Sequence, residues 1–396
     1  MGYNNESASP NKYSGMKAYC EKEITSKLSK VMNSANNKAE EIKALKPSFE
    51  FRPVLKETLT PVAAIDGGIA VLFPNEIGET KLLKVAVGIP PEWKGWFAHE
   101  EMEEYTHIFT GQLRWPEGTE NSFPEIVEEL IAQIMQNPII SKARDILNLT
   151  PDEMVSALHD RINHLKSKGT ESLKGFEDNL RELFEVSAMV VFTYEQKTNA
   201  KLLAHFQKYA LGIPYLLIKD GTLYPSKMTV SGKIADAVGE YFSQGDVPVI
   251  GVIKNSRFVN KDNIWSKVLS EYAQGVKSHT FFRIPPKVEN SIDPNSDKLP
   301  YKRYFLSLFV GESIYEIQLP IVLTQDDQKL KFLLSVLAEQ ITFRYGGSIS
   351  TNSYAHEKAS LPEVEARHLT ENLRQDLSKI LKEHKQKKDQ SKDTKE

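Results

Sequence analysis

Five side chains have a type and setting that could do chemistry: Asp66, Glu185, Asp220, Lys254 and His356. Asp66 sits within Pro61-Val-Ala-Ala-Ile-Asp66-Gly-Gly-Ile-Ala-Val-Leu-Phe73, an apolar, β-favouring run that reads as a buried central strand. An unpaired carboxylate there costs several kcal/mol, so something must compensate its charge. Gly67 and Gly68 carry no side chains, so another backbone, a metal ion or a phosphate could approach closely. A second reading stays open: a tight hairpin turn with Asp66 supplying the turn chemistry. The theme repeats in Ile213-Pro-Tyr-Leu-Leu-Ile-Lys219-Asp220-Gly221-Thr-Leu223, giving two apolar strands that end in Asp-Gly. Glu185 lies on a helical pattern that turns apolar nearly all round from Val186 to Phe192 and so enters the core. It reads either as a functional carboxylate or as an i,i+4 partner of Arg181. Together, Asp66, Glu185 and Asp220 are the ingredients for carboxylates converging on a divalent cation. Lys254 follows the strand Val247–Ile253, where α/β proteins place ligand-contacting groups, although a basic residue opening a loop would look the same. His356 fits a solvated helix position.

The composition bounds what could position these groups. With 396 residues, 40% hydrophobic and 26% charged, the chain can bury a large core as one elaborated domain or as several. A net charge of −3 supplies no bulk attraction to nucleic acid, so any such surface must be a local basic patch. Cys20 is the single cysteine, which excludes an intrachain disulfide and a cysteine-rich zinc site and fits a reducing compartment. The polar start has no apolar signal region and no run is long enough to cross a bilayer. A cytoplasmic location without membrane contact is expected.

Along the chain, residues 1–14 read as a disordered lead, and 17–45 as a helix with a thin apolar stripe at Ile24, Leu28 and Val31. Residues 81–89 pair with the Asp66 strand through a turn around Asn75 to Gly78. From Pro90 an insertion is expected. Its His99-Glu100 is not a zinc-protease helix, because Glu103 stands where the second histidine is needed. Its aromatics suit local packing or a base-stacking platform. Short helices follow over 123–167, one starting at Thr150-Pro151-Asp152-Glu153, with His159 and His164 expected at the surface. Helices over 171–193, 201–210, 231–243 and 261–273 alternate with strands near 213–223, 247–253 and 278–284, which argues for a partly parallel sheet. Tyr301–Val310 and Ser313–Leu319 read as a hairpin. There, Lys302 and Arg303 among Tyr301, Tyr304 and Phe305 form a plausible surface for tracking a nucleic-acid backbone. A helix over 326–343, an amphipathic helix over 363–386 and a charged tail from 387 complete the chain.

In Ile65-Asp66-Gly67, Arg181-x-x-x-Glu185, Lys219-Asp220-Gly221-Thr222-Leu223, Gly251-Val252-Ile253-Lys254 and Tyr354-Ala355-His356, the chain resembles the NurA nuclease family. The order and rough spacing match over most of residues 55–365. The resemblance implies an α/β fold with an RNase H-like core, a mixed sheet flanked by helices and a largely helical insertion. It divides the chain into a helical extension at 1–50, a NurA-like nuclease domain at 51–365 with its insertion at about 90–170, and a helix and charged tail at 366–396. It further implies a DNA nuclease dependent on Mn²⁺ or Mg²⁺ held by Asp66, Glu185 and Asp220. Lys254 would sit near the scissile phosphate, and His356 would position or protonate a reacting group. A homodimer working with a HerA-type hexameric translocase in DNA end processing, repair or anti-phage defence is implied as well. The family usually has Asp-Gly-Ser where this chain has Asp66-Gly67-Gly68, so a hydroxyl beside the site is missing. An alternative of another class is a catalytically weak or inactive scaffold that binds DNA and the translocase.

Overall fold

A computed structural model describes residues 11–43, 46–53, 60–75, 78–98, 102–109, 125–167, 176–209, 213–225, 232–243, 247–256, 258–259, 269, 272–273, 275–276, 279–309, 313–342, 348–361, 365–372, 374–376 and 379. The strands of its main sheet are β1 (Phe49–Phe51), β2 (Val62–Asn75), β3 (Gly78–Gly88), β4 (Met102–Phe109), β5 (Leu216–Asp220), β6 (Val249–Ile253), β7 (Thr280–Arg283), β8 (Tyr301–Phe309) and β9 (Ser313–Pro320). They lie in the order β1-β7-β8-β9-β6-β5-β2-β3-β4.

The middle of this sheet follows from its side chains. Val62, Ala63, Ala64 and Ile65 are all fully buried, so β2 has both faces covered, as a near-continuous apolar run requires. Val62 and Ala64 pack in one core cluster and Ala63 and Ile65 in another, one on each side of the sheet. β2, β3 and β4 form an antiparallel meander, while β5 joins β2, and β6 joins β5, in parallel. The expected hairpin between β2 and β3 is present, with Asn75 opposite Gly78.

Helices cover both faces. On the Ile65 side lie α2 (Glu125–Gln136), α3 (Pro138–Ile146), α4 (Pro151–Ser167), α5 (Phe176–Gln196), α6 (Ala200–Tyr209) and α7 (Gly232–Ser243). Their starts follow local chemistry. Asn137 caps α3 by accepting from the Ile139 N–H at 3.0 Å. Thr150 and Glu153 form a reciprocal capping box at α4, with bonds of 2.9 and 3.2 Å. The short α8 (Pro286–Ile292) follows β7, and α9 (Asp327–Glu339) and α10 (Ser350–Ala359) cover the Ala64 side. The helix expected over 326–343 ends earlier, and Ile341–Thr342 instead pairs with Ser348–Ile349 as a separate short ribbon.

Two regions differ from expectation. Residues 102–109 are the edge strand β4, paired to β3 from Thr80 opposite Phe109 to Val87 opposite Met102, so the stretch taken as a largely helical insertion also completes the main sheet. Its acidic residues Glu103 and Glu104 mask the strand period, and among the described residues β4 is paired on one side only. His159 and His164 are half-buried rather than exposed, since α4 packs into the shared core. His159 Nε2 lies 3.3 Å from Glu128.

Trp93 and Trp96 pack locally, edge to face at 6.0 Å, with Lys201 Nζ 4.6 Å from the Trp96 ring centroid. The first helix, α1 (Asn11–Lys43), begins inside the expected lead and leaves Tyr19, Ile24, Leu28 and Met32 exposed. His99, most of the expected helix over 261–273, and the charged tail lie outside the described residues. Among the described residues no helix is long and apolar enough to cross a membrane.

Candidate active site

Sheet register decides what meets. The parallel pairing of β2 and β5 runs from Val62 opposite Leu216 to Ile65 opposite Lys219, so the next residues on the two strands are Asp66 and Asp220. By strand alternation, these two point to the side of Ala64 and Ile218, towards α10, whereas Gly67 and Lys219 point to the side of α5. Only Asp220 ends its strand. Asp66 lies inside β2, which continues through Gly67 and Gly68 to Asn75, so the expectation of two strands ending in Asp-Gly holds for β5 alone.

An open cleft of about 560 Å³ lies at this point, lined by Asp66, Glu185, Asp220, Lys254 and His356 together with Arg181 and Lys219. All five residues singled out from the sequence therefore share one cavity. Asp66 is buried; its Oδ1 accepts the Gly67 N–H at 2.8 Å, and its Oδ2 lies 2.7 Å from His356 Nδ1. Burial, followed by the neighbouring Asp220 charge, pushes the Asp66 carboxyl above its usual range, against the opposing pull of His356 and the Gly67 N–H. Asp220 Oδ2 lies 2.6 Å from Lys254 Nζ. The turn after Asp220 needs a glycine, because Gly221 has φ of +100° while its N–H donates to the Val252 carbonyl at 2.7 Å.

Glu185 is carried in by α5 and is buried, as its apolar flank implies. Arg181 Nε stands 3.7 Å away in the i,i+4 relation, and Lys219 Nζ binds its Oε2 at 2.8 Å. Burial works to lower the Lys219 pKa, but the charges of Glu185 and Glu182 outweigh it and hold the ammonium above its usual value. No role was assigned to Lys219 from sequence, and Arg181 entered only as the i,i+4 partner of Glu185. The available signal was a lysine inside an apolar strand, which a buried partner has to neutralise.

The glycines are explained by close approach. A Cβ at Gly67 would lie 2.7 Å from Glu185 Oε1 and 2.8 Å from Arg181 Cγ, so α5 could not dock as it does. A Cβ at Gly68 would strike the carbonyl oxygen of Ala359 at the end of α10. Backbone fills the place where the resembled family carries a serine.

No family model matches the sequence, and no curated protein matches it. Among solved structures, the NurA nuclease from Sulfolobus solfataricus aligns over 94% of this chain and 98% of its own, at 13% identity and a TM-score of 0.38. A NurA structure bound to dAMP and manganese aligns over 89% of this chain and 95% of its own, at 12% identity and a TM-score of 0.34. The chain is similar to NurA nucleases. At these values the chemistry has to stand on this chain's own side chains. Each of the five NurA-type motifs read from the sequence contributes at least one residue to the cleft.

The donor set can be tested against a metal. Asp66 and Asp220 are hard oxygen donors whose adjacent charges oppose one another, an arrangement that a divalent cation relieves. The pair fits Mg²⁺ or Mn²⁺. Glu185 is instead turned to Lys219, and among the described residues no group of three or more His, Cys, Asp or Glu is gathered as a metal centre. The basic–aromatic surface expected around Lys302 and Arg303 is not formed. Arg303 is only 3% exposed, and Tyr304 and Phe305 are buried beside it.

Proposed function

We propose that this chain is a divalent-metal-dependent deoxyribonuclease that hydrolyses phosphodiester bonds. The observation that carries the reading is the adjacency of Asp66 and Asp220 in an open cleft that also presents Lys254, Arg181 and His356. Asp66 and Asp220 would hold the cation, with Glu185 near enough to add its charge to theirs. When bound, Mn²⁺ or Mg²⁺ supplies an activated water and neutralises charge on the leaving oxygen. Lys254, tied to Asp220, is a point charge placed for a phosphate oxygen. His356 has its Nδ1 fixed by Asp66, which leaves Nε2 to hold or pass a proton at the reacting oxygen. Burial pushes the Glu185 carboxyl above its usual range, and Lys219 and Arg181 pull against that shift at the apolar end of α5.

The meander β2–β3–β4, with β5 added in parallel beside β2 and β6 in parallel beside β5, supports the RNase H-like core that the resemblance implies. The same resemblance supports a cytoplasmic homodimer acting with a HerA-type hexameric translocase in DNA end processing, repair or anti-phage defence. The exposed apolar residues of α1 offer one surface for such assembly. The test is incubation of the purified protein with linear DNA and Mn²⁺ or Mg²⁺, with and without a partner translocase. Chelator-sensitive cleavage supports the reading. Absence of cleavage under every condition overturns it and leaves a binding scaffold.

A further inference from the structure

We infer that Glu316 and Gln318 of β9, locked by Arg303 of β8, are positioning residues that set the Asp220–Lys254 pair. The inference rests on the nuclease reading above. Arg303, Glu316, Gln318 and Ser256 are each at most 3% exposed, in a part of the sheet where apolar residues would pack more cheaply. The guanidinium uses all three nitrogens: Nε donates to Glu316 at 3.1 Å, one terminal nitrogen to Glu289 at 3.1 Å, and the other to Asp293 at 2.6 Å. Glu316 is thereby fixed, and it accepts from Gln318 Nε2 at 2.8 Å through the same oxygen.

From this anchor, one bond reaches each loop of the cleft. Gln318 Oε1 accepts the Leu223 N–H at 2.9 Å, which pins the turn that follows Asp220. The other Glu316 oxygen accepts from the Ser256 hydroxyl, and Ser256 Oγ in turn accepts the Phe258 N–H at 3.1 Å, which pins the turn that follows Lys254. β9 also pairs with β6, placing Gln318 opposite Gly251, where a Cβ would lie 2.6 Å from the Leu223 nitrogen. The two turns are thus held by adjacent side chains of one strand, and their catalytic-cleft residues meet at 2.6 Å. A buried ionic hub that binds backbone on both sides of a site fixes its geometry, which hydrophobic packing would fix less sharply.

Arg303→Met would remove the cation shared by three buried carboxylates and is expected to unfold the chain, so the test uses Gln318→Met and Ser256→Ala, with Ser256→Thr as the conservative control. In crystal structures of the first two variants, the Asp220–Lys254 separation is expected to open beyond hydrogen-bonding distance. For DNA cleavage, kcat is expected to fall about tenfold or more with KM within about twofold, because misplacement by an ångström has costs of this order. Ser256→Thr should restore both. An unchanged separation in both variants overturns the inference. If the wild-type protein cleaves no DNA, the nuclease reading falls separately, and the separation still decides the positioning.

Discussion

Lys219 Nζ lies 2.8 Å from Glu185 Oε2, with side chains only 2% and 6% exposed. Removing Lys219 would leave the buried Glu185 with Arg181 alone, whose Nε stands 3.7 Å away. Lys219→Met is therefore expected to destabilise the fold by about 3–5 kcal/mol, and Lys219→Met combined with Glu185→Gln to recover most of that loss. Denaturant unfolding of the two singles and the double measures it. Additive losses would show that the pair is not coupled.

Asp66 carries the opposite problem, a carboxyl held above its usual range by burial and by Asp220. The folded state then binds more protons than the unfolded one from the unfolded value of 3.8 up to the raised one, so stability falls as pH rises through that window. In chelator, Asp66→Asn is expected to gain about 0.5–1 kcal/mol at neutral pH, with the gain fading under acid conditions. Thermal unfolding across pH reports this. A loss of stability at neutral pH would contradict the assigned direction.

The same substitution, and Asp220→Asn, should lower metal-dependent DNA cleavage by at least about a hundredfold. Single-turnover assays on linear DNA check it. Full activity in Asp66→Asn would remove the site.

Gly68→Ser is the substitution that would restore the usual Asp-Gly-Ser of the resembled family. Because its Cβ would meet the Ala359 carbonyl, it is expected to destabilise by about 1–3 kcal/mol without raising activity. A stable, faster Gly68→Ser enzyme would mean that α10 can move off β2.

DNA affinity should depend weakly on salt. Arg181 and Lys254 are the cleft cations that reach solvent, with side chains 42% and 37% exposed. On duplex DNA a log–log slope of roughly −2 is expected, flattened by about 0.9 in Lys254→Ala. A slope steeper than roughly −6 would reveal a large basic surface elsewhere.

Most of the strands around the cleft and the identity of the reactive groups were readable from the chain alone, while the edge strand β4 was not. Apolar period, Asp-Gly steps and caps such as Thr150/Glu153 depend on neighbours within one turn or strand, so they were legible around Asp66, Asp220 and Lys254. The entry of Glu185 into the core was legible for the same reason, since Val186 to Phe192 is apolar on every face. Tertiary structure decided the rest. Whether Asp66 stands beside Asp220 depends on the β2–β5 register, and a slip of one residue would turn one carboxylate to the other face. A charged residue on a strand also reads alike whether it is solvated or buried with a partner. For that reason Arg303 looked like a nucleic-acid contact and is a buried hub, and Lys219 gave no sign of Glu185, which a separate helix delivers. Gly68 left room for another backbone, a metal ion or a phosphate, and only the docking of α10 decides that backbone fills it.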